Sequence, residues 1–126
     1  MVSGTGIDLI GVARFRREQD ARAEDAFHDL FTPAEQAEFR AIPDRALACA
    51  AVFASKEAVF KALGTGKIGR MSWLDIEIGR ADGRYTVTLG GETASVAQAA
   101  GIERVHLSLT HVNGRFIAWA LAEGGA

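Results

Sequence analysis

The longest hydrophobic pattern in the chain is helical and lies near its middle. Of the 18 residues at positions 46–63, 14 are apolar, with Asp44 placed to cap the start and Gly64 the end. The pattern predicts a helix from about residue 45 to residue 63. Because this helix is apolar around its whole circumference, we expect it to be buried on all sides.

Strands are predicted on both sides of this helix. Residues 6–12 form an apolar, β-branched run that is typical of a short buried strand. After the helix, apolar and polar residues alternate on either side of Asp82-Gly83 and of Asn113-Gly114, and each pair is typical of a hairpin turn. The predicted hairpin strands are 73–78 with 85–89, and 105–111 with 115–121.

Shorter helices complete the prediction. Residues 13–31 resemble one or two amphipathic helices, and residues 92–100 a short alanine-rich one that ends at Gly101. Thr32-Pro33-Ala34-Glu35 has the order of a capping box, so another helix should begin there and end before Pro43. The chain is expected to form one α+β domain over residues 1–126, with antiparallel strands packed around a central buried helix.

Composition excludes several classes of protein. At 126 residues the chain suits one domain, so a large substrate would either need a second copy of the chain to complete its site or lie across the surface. The 14 basic and 16 acidic residues nearly balance, which gives no indication of nucleic acid or a membrane surface as partner. With a single cysteine, no signal peptide and no long apolar span, we expect a cytoplasmic protein.

Three charges interrupt the apolar central helix. Lys56, Glu57 and Lys61 are its only charged residues between positions 46 and 63, and Glu57 and Lys61 lie one turn apart. One interpretation is an exposed ion pair, with Lys56 reaching water. The other is a ligand site, because burying these charges without a partner costs several kcal/mol per ion.

Asp8 favours the second interpretation. An acid inside an apolar strand must pair with a cation, cap a neighbour or bind a metal. A salt bridge to Lys56 or Lys61 would satisfy it. Alternatively, Asp8 and Glu57 would bind Mg²⁺ while the two lysines neutralise a polyphosphate, because magnesium takes one or two carboxylates along with phosphate oxygens and water.

Two further features carry polar groups. His111 ends an alternating strand and shares the side of Val105, where a structural role is an alternative to ligand binding. The arginines of residues 13–31 form either a solvated helix face or a patch that docks an acidic protein.

The chain resembles the holo-acyl-carrier-protein synthases, a family of small 4'-phosphopantetheinyl transferases. The resembling motifs are Gly6-Ile7-Asp8-Leu9-Ile10, Phe31-Thr32-Pro33-Ala34-Glu35, the run from Phe53 through Lys56-Glu57-Ala58-Val59-Phe60-Lys61 to Gly66, Asp75-Ile76-Glu77-Ile78, and Ser108-Leu109-Thr110-His111. The combination of Asp8 with the Lys-Glu-Ala-x-x-Lys core is specific, whereas the last motif alone would be weak.

This resemblance implies a reaction and its residues. A serine of an apo acyl carrier protein would attack the β-phosphate of coenzyme A and release adenosine 3',5'-bisphosphate. Asp8 and Glu57 would bind Mg²⁺, Glu57 and Lys61 would be catalytic, and Lys56, Lys61 and His111 would contact coenzyme A. The helix of Arg14 would receive the acidic carrier protein of fatty acid biosynthesis or of polyketide synthesis, in a homotrimer with an active site at each subunit interface.

One departure favours other functions. Val52 stands where the family usually has arginine, so that either Arg45, Lys67 or a neighbouring subunit would supply the cation, or coenzyme A would bind less tightly. An alternative is therefore a non-catalytic module of the same fold that binds carrier proteins. A third hypothesis is a nucleotide-binding phosphotransferase of another kind.

Overall fold

The computed structural model describes residues 1–20 and 27–125. In chain order the elements are β1 (Val2–Gly11), α1 (Val12–Asp20), α2 (Pro33–Arg40), α3 (Arg45–Ala62), a 3-10 turn (Trp73–Asp75), β2 (Ile76–Ala81), β3 (Arg84–Leu89), α4 (Gly91–Ala99), β4 (Ile102–Val112) and β5 (Arg115–Gly124). The α+β class predicted from the sequence is confirmed. One or two helices were predicted over residues 13–31. The structure confirms α1 within this range, and residues 21–26 lie outside the described part.

The strands form two antiparallel sheets. One contains three strands in the order β1-β5-β4, and the other contains β2 and β3. Both predicted hairpins are confirmed, with Asp82 and Asn113 at positive φ in their turns. The predicted strand at residues 73–78 begins only at Ile76, because Ser72 caps a 3-10 turn and Asp75 accepts a hydrogen bond from the Ser72 N–H at 3.0 Å.

Helix α3 lies against one face of the three-stranded sheet. Ala118, Ala120 and Ala122 of β5 are fully buried beneath it. Strand β1 comes equally close, because a Cβ atom added at Gly6 would collide with the carbonyl oxygen of Ala58. The absence of side chains at these positions lets the strand backbones pack directly on the helix.

Two predictions of burial are wrong in part. Ile7 and Leu9 of β1 are 59 % and 60 % exposed, because only the opposite face of their sheet packs against α3. Helix α3 itself is buried along most of its length, but Lys61 is exposed and Val52 is only half-buried. The sheet therefore presents an uncovered apolar face.

The predicted capping box at the start of α2 is confirmed. The Thr32 side chain accepts a hydrogen bond from the Glu35 N–H, and the Glu35 carboxylate accepts one from the Thr32 N–H at 2.8 Å. Glu35 Oε2 also accepts a hydrogen bond from the Ile78 N–H of β2, at 2.8 Å. A motif that is local in sequence therefore also joins α2 to the second sheet.

Within residues 1–20 and 27–125, no helix combines the length and the hydropathy that crossing a bilayer requires.

Candidate active site

The structure brings Asp8 and Lys61 together. Asp8 lies on the face of β1 that packs against α3, and Lys61 occupies the last turn of that helix. The Lys61 ammonium donates to the Asp8 carboxylate at 3.1 Å and to the Ile7 carbonyl oxygen at 3.2 Å. This pair is one of the arrangements that the sequence left open, and the exposed lysine leaves it accessible to a ligand.

Glu57 lies one helical turn before Lys61 and belongs to the same cluster of charges. Burial raises the pKa of the Glu57 carboxyl above its usual value, and the negative charge of Asp8 raises it further. The positive charges of Lys61 and Lys67 oppose that shift in the pKa. Two carboxylates and two lysines therefore interact electrostatically at the end of α3.

The two carboxylates line one open cavity of about 220 Å³. Its walls are formed by the end of β1, the first turns of α1 and the exposed side of α3. The lining residues are Asp8, Leu9, Ile10, Gly11, Arg14, Phe15, Glu18, Phe53 and Glu57. Because Arg14 belongs to the lining, the cavity opens toward the arginine-bearing surface of α1.

The donor set of this cavity fits magnesium. Within the described residues, no group of three or more metal-ligating side chains is present. Magnesium does not require one, because it binds through one or two carboxylates and completes its coordination with water and phosphate oxygens. Asp8 and Glu57 supply those carboxylates, and the accessible cavity leaves room for the remaining ligands.

Lys56 does not join this cluster. Its side chain is fully buried, and its ammonium pairs with the Glu35 carboxylate at 2.7 Å. It also donates to the carbonyl oxygens of Leu30 at 2.8 Å and Trp73 at 2.9 Å. With its donors engaged inside the protein, Lys56 has no access to coenzyme A, and the expectation that it binds this ligand or reaches water does not fit its position.

Glu35 is a partner of Lys56 that the sequence pattern did not predict. Burial lowers the pKa of the Lys56 ammonium, and the neighbouring negative charge of Glu35 opposes that shift. A lysine in an apolar helix requires a nearby acid, and the capping-box glutamate was available. The signal existed in the sequence, but the pairing of two residues from different helices required the fold.

His111 lies away from the carboxylate cavity within the chain. Its imidazole stacks on Phe116, with ring centroids 4.5 Å apart and an interplanar angle of 22°. The ring is exposed at the end of β4 and does not contribute to the lining around Asp8 and Glu57. The structure therefore does not bring His111 into the lining of the Asp8 and Glu57 cavity.

The structure also locates Val52 and the cations proposed to replace the missing arginine. Val52 lines a largely apolar groove of about 520 Å³ together with Leu47 and Phe116. The Arg45 guanidinium lies 4.3 Å from the centre of the Phe27 ring. Of these two cations, Lys67 is the one whose positive charge acts on Glu57, where it lowers the pKa of the carboxyl.

Comparison with known proteins decides the family. The model of the 4'-phosphopantetheinyl transferase superfamily matches residues 4–118. The chain belongs to this superfamily. A holo-[acyl-carrier-protein] synthase of Anaeromyxobacter dehalogenans (strain 2CP-C) is 43 % identical over 127 residues, which cover 98 % of each chain.

Solved structures agree with this assignment. The holo-[acyl-carrier-protein] synthase of Neisseria meningitidis matches with a TM-score of 0.89 and 31 % identity over 98 % of this chain and 99 % of that one. The synthase of Helicobacter pylori, solved in complex with coenzyme A, matches with a TM-score of 0.80 and 26 % identity over 94 % and 99 % of the chains. The predicted resemblance and the prediction of an enzyme are confirmed.

Proposed function

We propose that this phosphopantetheinyl transferase moves the 4'-phosphopantetheine group of coenzyme A to a serine of an apo acyl carrier protein. The observation that carries the proposal is the accessible cavity in which Asp8 and Glu57 lie beside Lys61. The names of the relatives supply the acceptor, and the coenzyme A complex of the Helicobacter pylori structure supports the donor. Residues 1–126 would act as one cytoplasmic domain.

The proposed role of each site residue follows from its charge and position. Asp8 and Glu57 would hold Mg²⁺, which supplies neutralisation of the diphosphate charge when it is bound. Lys61, which is half-exposed and anchored by the Ile7 carbonyl oxygen, would stabilise the charge that builds on the leaving phosphate. His111 would contact coenzyme A bound in the cavity of a neighbouring subunit.

Glu57 is our candidate for the proton acceptor. The serine oxygen would form a bond to the β-phosphorus of coenzyme A while the bond to the departing adenosine 3',5'-bisphosphate breaks. The serine proton would pass to the Glu57 carboxylate, directly or through water. The position of Glu57 in the lining of the open cavity, next to Asp8, supports this role.

A mass-shift experiment tests this function. Incubating the purified protein with Mg²⁺, coenzyme A and an apo acyl carrier protein should add one phosphopantetheine to the carrier, as read by mass spectrometry. The addition should stop when EDTA removes the metal. Carriers of fatty acid and polyketide synthesis form the panel, with a known transferase as the positive control. Binding without any added mass would instead favour the non-catalytic module.

We also propose that the active unit is a homotrimer. The face of the three-stranded sheet that points away from α3 carries Ile7, Leu9, Ile117 and Trp119, which are 59 %, 60 %, 39 % and 49 % exposed. The strand register places these residues on the same side of adjacent strands. A contiguous apolar patch of this kind usually marks a protein interface, and further copies of the chain are our choice of partner.

Charge placed on that face should prevent assembly. We expect Trp119→Lys to convert a trimer into monomers in sedimentation velocity, because the ammonium would be buried without a partner. Leu74→Lys is the matched control, since Leu74 is 44 % exposed on the 3-10 turn outside that sheet. If Trp119→Lys sediments like the wild type, this face is not the subunit interface.

A further inference from the structure

The loop that follows α3, residues 64–69, carries a single charged side chain, that of Lys67. Gly64, Gly66 and Gly69 have φ angles of 86°, 65° and 56°, so the path of this loop depends on glycine. Lys67 is exposed, and in the described part of the chain no carboxylate forms a salt bridge with it. Its ammonium is therefore open to a ligand.

Hydrogen bonds hold the backbone on either side of Lys67. The Gly66 N–H donates to the Phe60 carbonyl oxygen of α3 at 3.1 Å. The Ile68 N–H donates to the sulfur of the buried Met71 at 3.5 Å. Because both neighbours are tied to the body of the protein, the direction of the Lys67 side chain decides where its charge lies.

The Lys67 side chain lies over the indole of Trp73. Its ammonium is 5.8 Å from the centre of the ring, within the roughly 6 Å over which an aromatic face attracts a cation. Tryptophan is the aromatic residue that attracts cations most strongly. Trp73 is half-buried, so part of its indole packs inside while part remains at the surface. The indole therefore gives the ammonium a preferred position.

Trp73 is itself fixed against α3. Its ring centre lies 4.9 Å from that of Phe53 and 5.3 Å from that of Phe60. Its carbonyl oxygen accepts a hydrogen bond from the buried Lys56 ammonium at 2.9 Å. Phe53 also belongs to the lining of the carboxylate cavity. The indole that supports Lys67 is thus packed directly on a wall of that cavity.

The charge of Lys67 acts at the carboxylate cavity. It lowers the pKa of the Glu57 carboxyl, against the rise that burial and Asp8 cause. Lys61, the other lysine of this cluster, is already paired with Asp8 at 3.1 Å. A diphosphate bound in the cavity would therefore meet a second cation that no carboxylate of the described residues pairs with.

We propose that Lys67 binds the diphosphate of coenzyme A and that Trp73 is the positioning residue that holds Lys67 beside the cavity. This inference rests on the proposed function, which supplies the donor. Trp73 does not contact the reacting atoms and acts through Lys67. The sequence indicated Lys67 only as one of several sources of a missing cation, and it gave no role to Trp73.

Calorimetric titration with coenzyme A tests both residues, with Mg²⁺ present and no carrier protein. We expect Lys67→Met to weaken binding about fivefold, from the loss of one exposed charge pair. Trp73→Leu should weaken it about threefold, because the ammonium loses its preferred position, and Trp73→Phe should restore most of the loss. Arg104→Met removes an exposed cation at the start of β4 and, as the matched control, should bind like the wild type.

The double variant Lys67→Met/Trp73→Leu separates positioning from packing. If Trp73 acts through Lys67, the double variant should bind coenzyme A as weakly as Lys67→Met alone. A further threefold loss would show that Trp73→Leu acts through its packing on Phe53 and Phe60. That result would overturn the positioning role.

A second probe, 3'-dephospho-coenzyme A, identifies the phosphate that Lys67 contacts. This compound keeps the diphosphate and lacks the 3'-phosphate, so Lys67→Met should weaken its binding by the same factor. A loss confined to coenzyme A would place Lys67 at the 3'-phosphate and overturn the assignment. In the transfer assay, the KM for coenzyme A should rise in Lys67→Met and Trp73→Leu, while kcat and the KM for the carrier stay at the wild-type values.

The outcomes separate this proposal from the proposed function. If coenzyme A binding depends on Lys67 and Trp73 but no phosphopantetheine reaches the carrier, the inference stands and the transfer proposal fails. If transfer occurs and Lys67→Met binds coenzyme A as tightly as Arg104→Met does, the inference is wrong and the transfer proposal stands. Absence of coenzyme A binding to the wild type overturns both.

Discussion

Replacing Lys56 by methionine is expected to destabilise the protein by about 3–5 kcal/mol, the usual cost of removing one partner of a buried ion pair. The Glu35 carboxylate would remain buried without its counter-ion. The carbonyl oxygens of Leu30 and Trp73 would also lose their donor. Urea unfolding followed by circular dichroism measures this change in the free energy of unfolding.

A second variant separates charge from packing. Lys56→Met combined with Glu35→Leu should recover part of the lost stability, because no unpaired charge is then buried. Recovery should be incomplete, since the Thr32 and Ile78 N–H groups lose the acceptor that Glu35 provides. Lys67→Met is the exposed control, with an expected change of no more than about 0.5 kcal/mol. A loss below about 1 kcal/mol for Lys56→Met would contradict the structural role.

Glu57→Gln is expected to lower the rate of transfer by a factor of about 100 or more, which is the usual contribution of a positioned base. The substitution keeps the size of the side chain and removes its charge, and with it a proposed magnesium ligand. The mass-shift assay under single-turnover conditions measures the rate. Glu38→Gln, at an exposed position of α2, is the matched control and should transfer at the wild-type rate.

The same variant should be more stable than the wild type near pH 7. The folded protein raises the pKa of Glu57 above its unfolded value, so the ionised form opposes folding as the pH rises through the folded pKa. Glutamine carries no charge and avoids that loss. Thermal unfolding should therefore show a higher melting temperature for Glu57→Gln at pH 7, and the difference should shrink as the pH falls from the folded pKa toward the unfolded pKa and vanish below it. An equal or lower melting temperature at pH 7 would contradict the electrostatic account.

Local signals in the sequence were enough to predict most elements of the fold. The Thr32 capping box, the Asp44 cap and the Asn113-Gly114 turn each act within a few residues, so their effects can be read without the tertiary structure. Burial was less predictable, because an apolar strand has two faces. The sequence of β1 does not reveal that Ile7 and Leu9 lie on the uncovered one.

The candidate site was predictable where charge interrupts an apolar pattern. Asp8, Glu57 and Lys61 were found in this way, and the structure brings them together. Lys56 satisfied the same criterion but points into the interior, because position 56 faces Glu35 and not the sheet. Successive side chains of a helix point about 100° apart. Lys56 therefore points into the core, although its neighbour Glu57 lines the cavity.

The contact between Gly6 and Ala58 has a consequence for the chemistry of the cavity. Asp8 follows Gly6 by two residues, and Glu57 precedes Ala58 by one, so both carboxylates are carried by the backbones that touch. Their separation is therefore set by a contact between main chains, which rotation of side chains elsewhere leaves unchanged. A larger residue at position 6 would force β1 away from α3 and widen the gap between the two oxygen donors. Magnesium demands short and nearly ideal coordination, so a fixed spacing between β1 and α3 would suit the magnesium site proposed for Asp8 and Glu57.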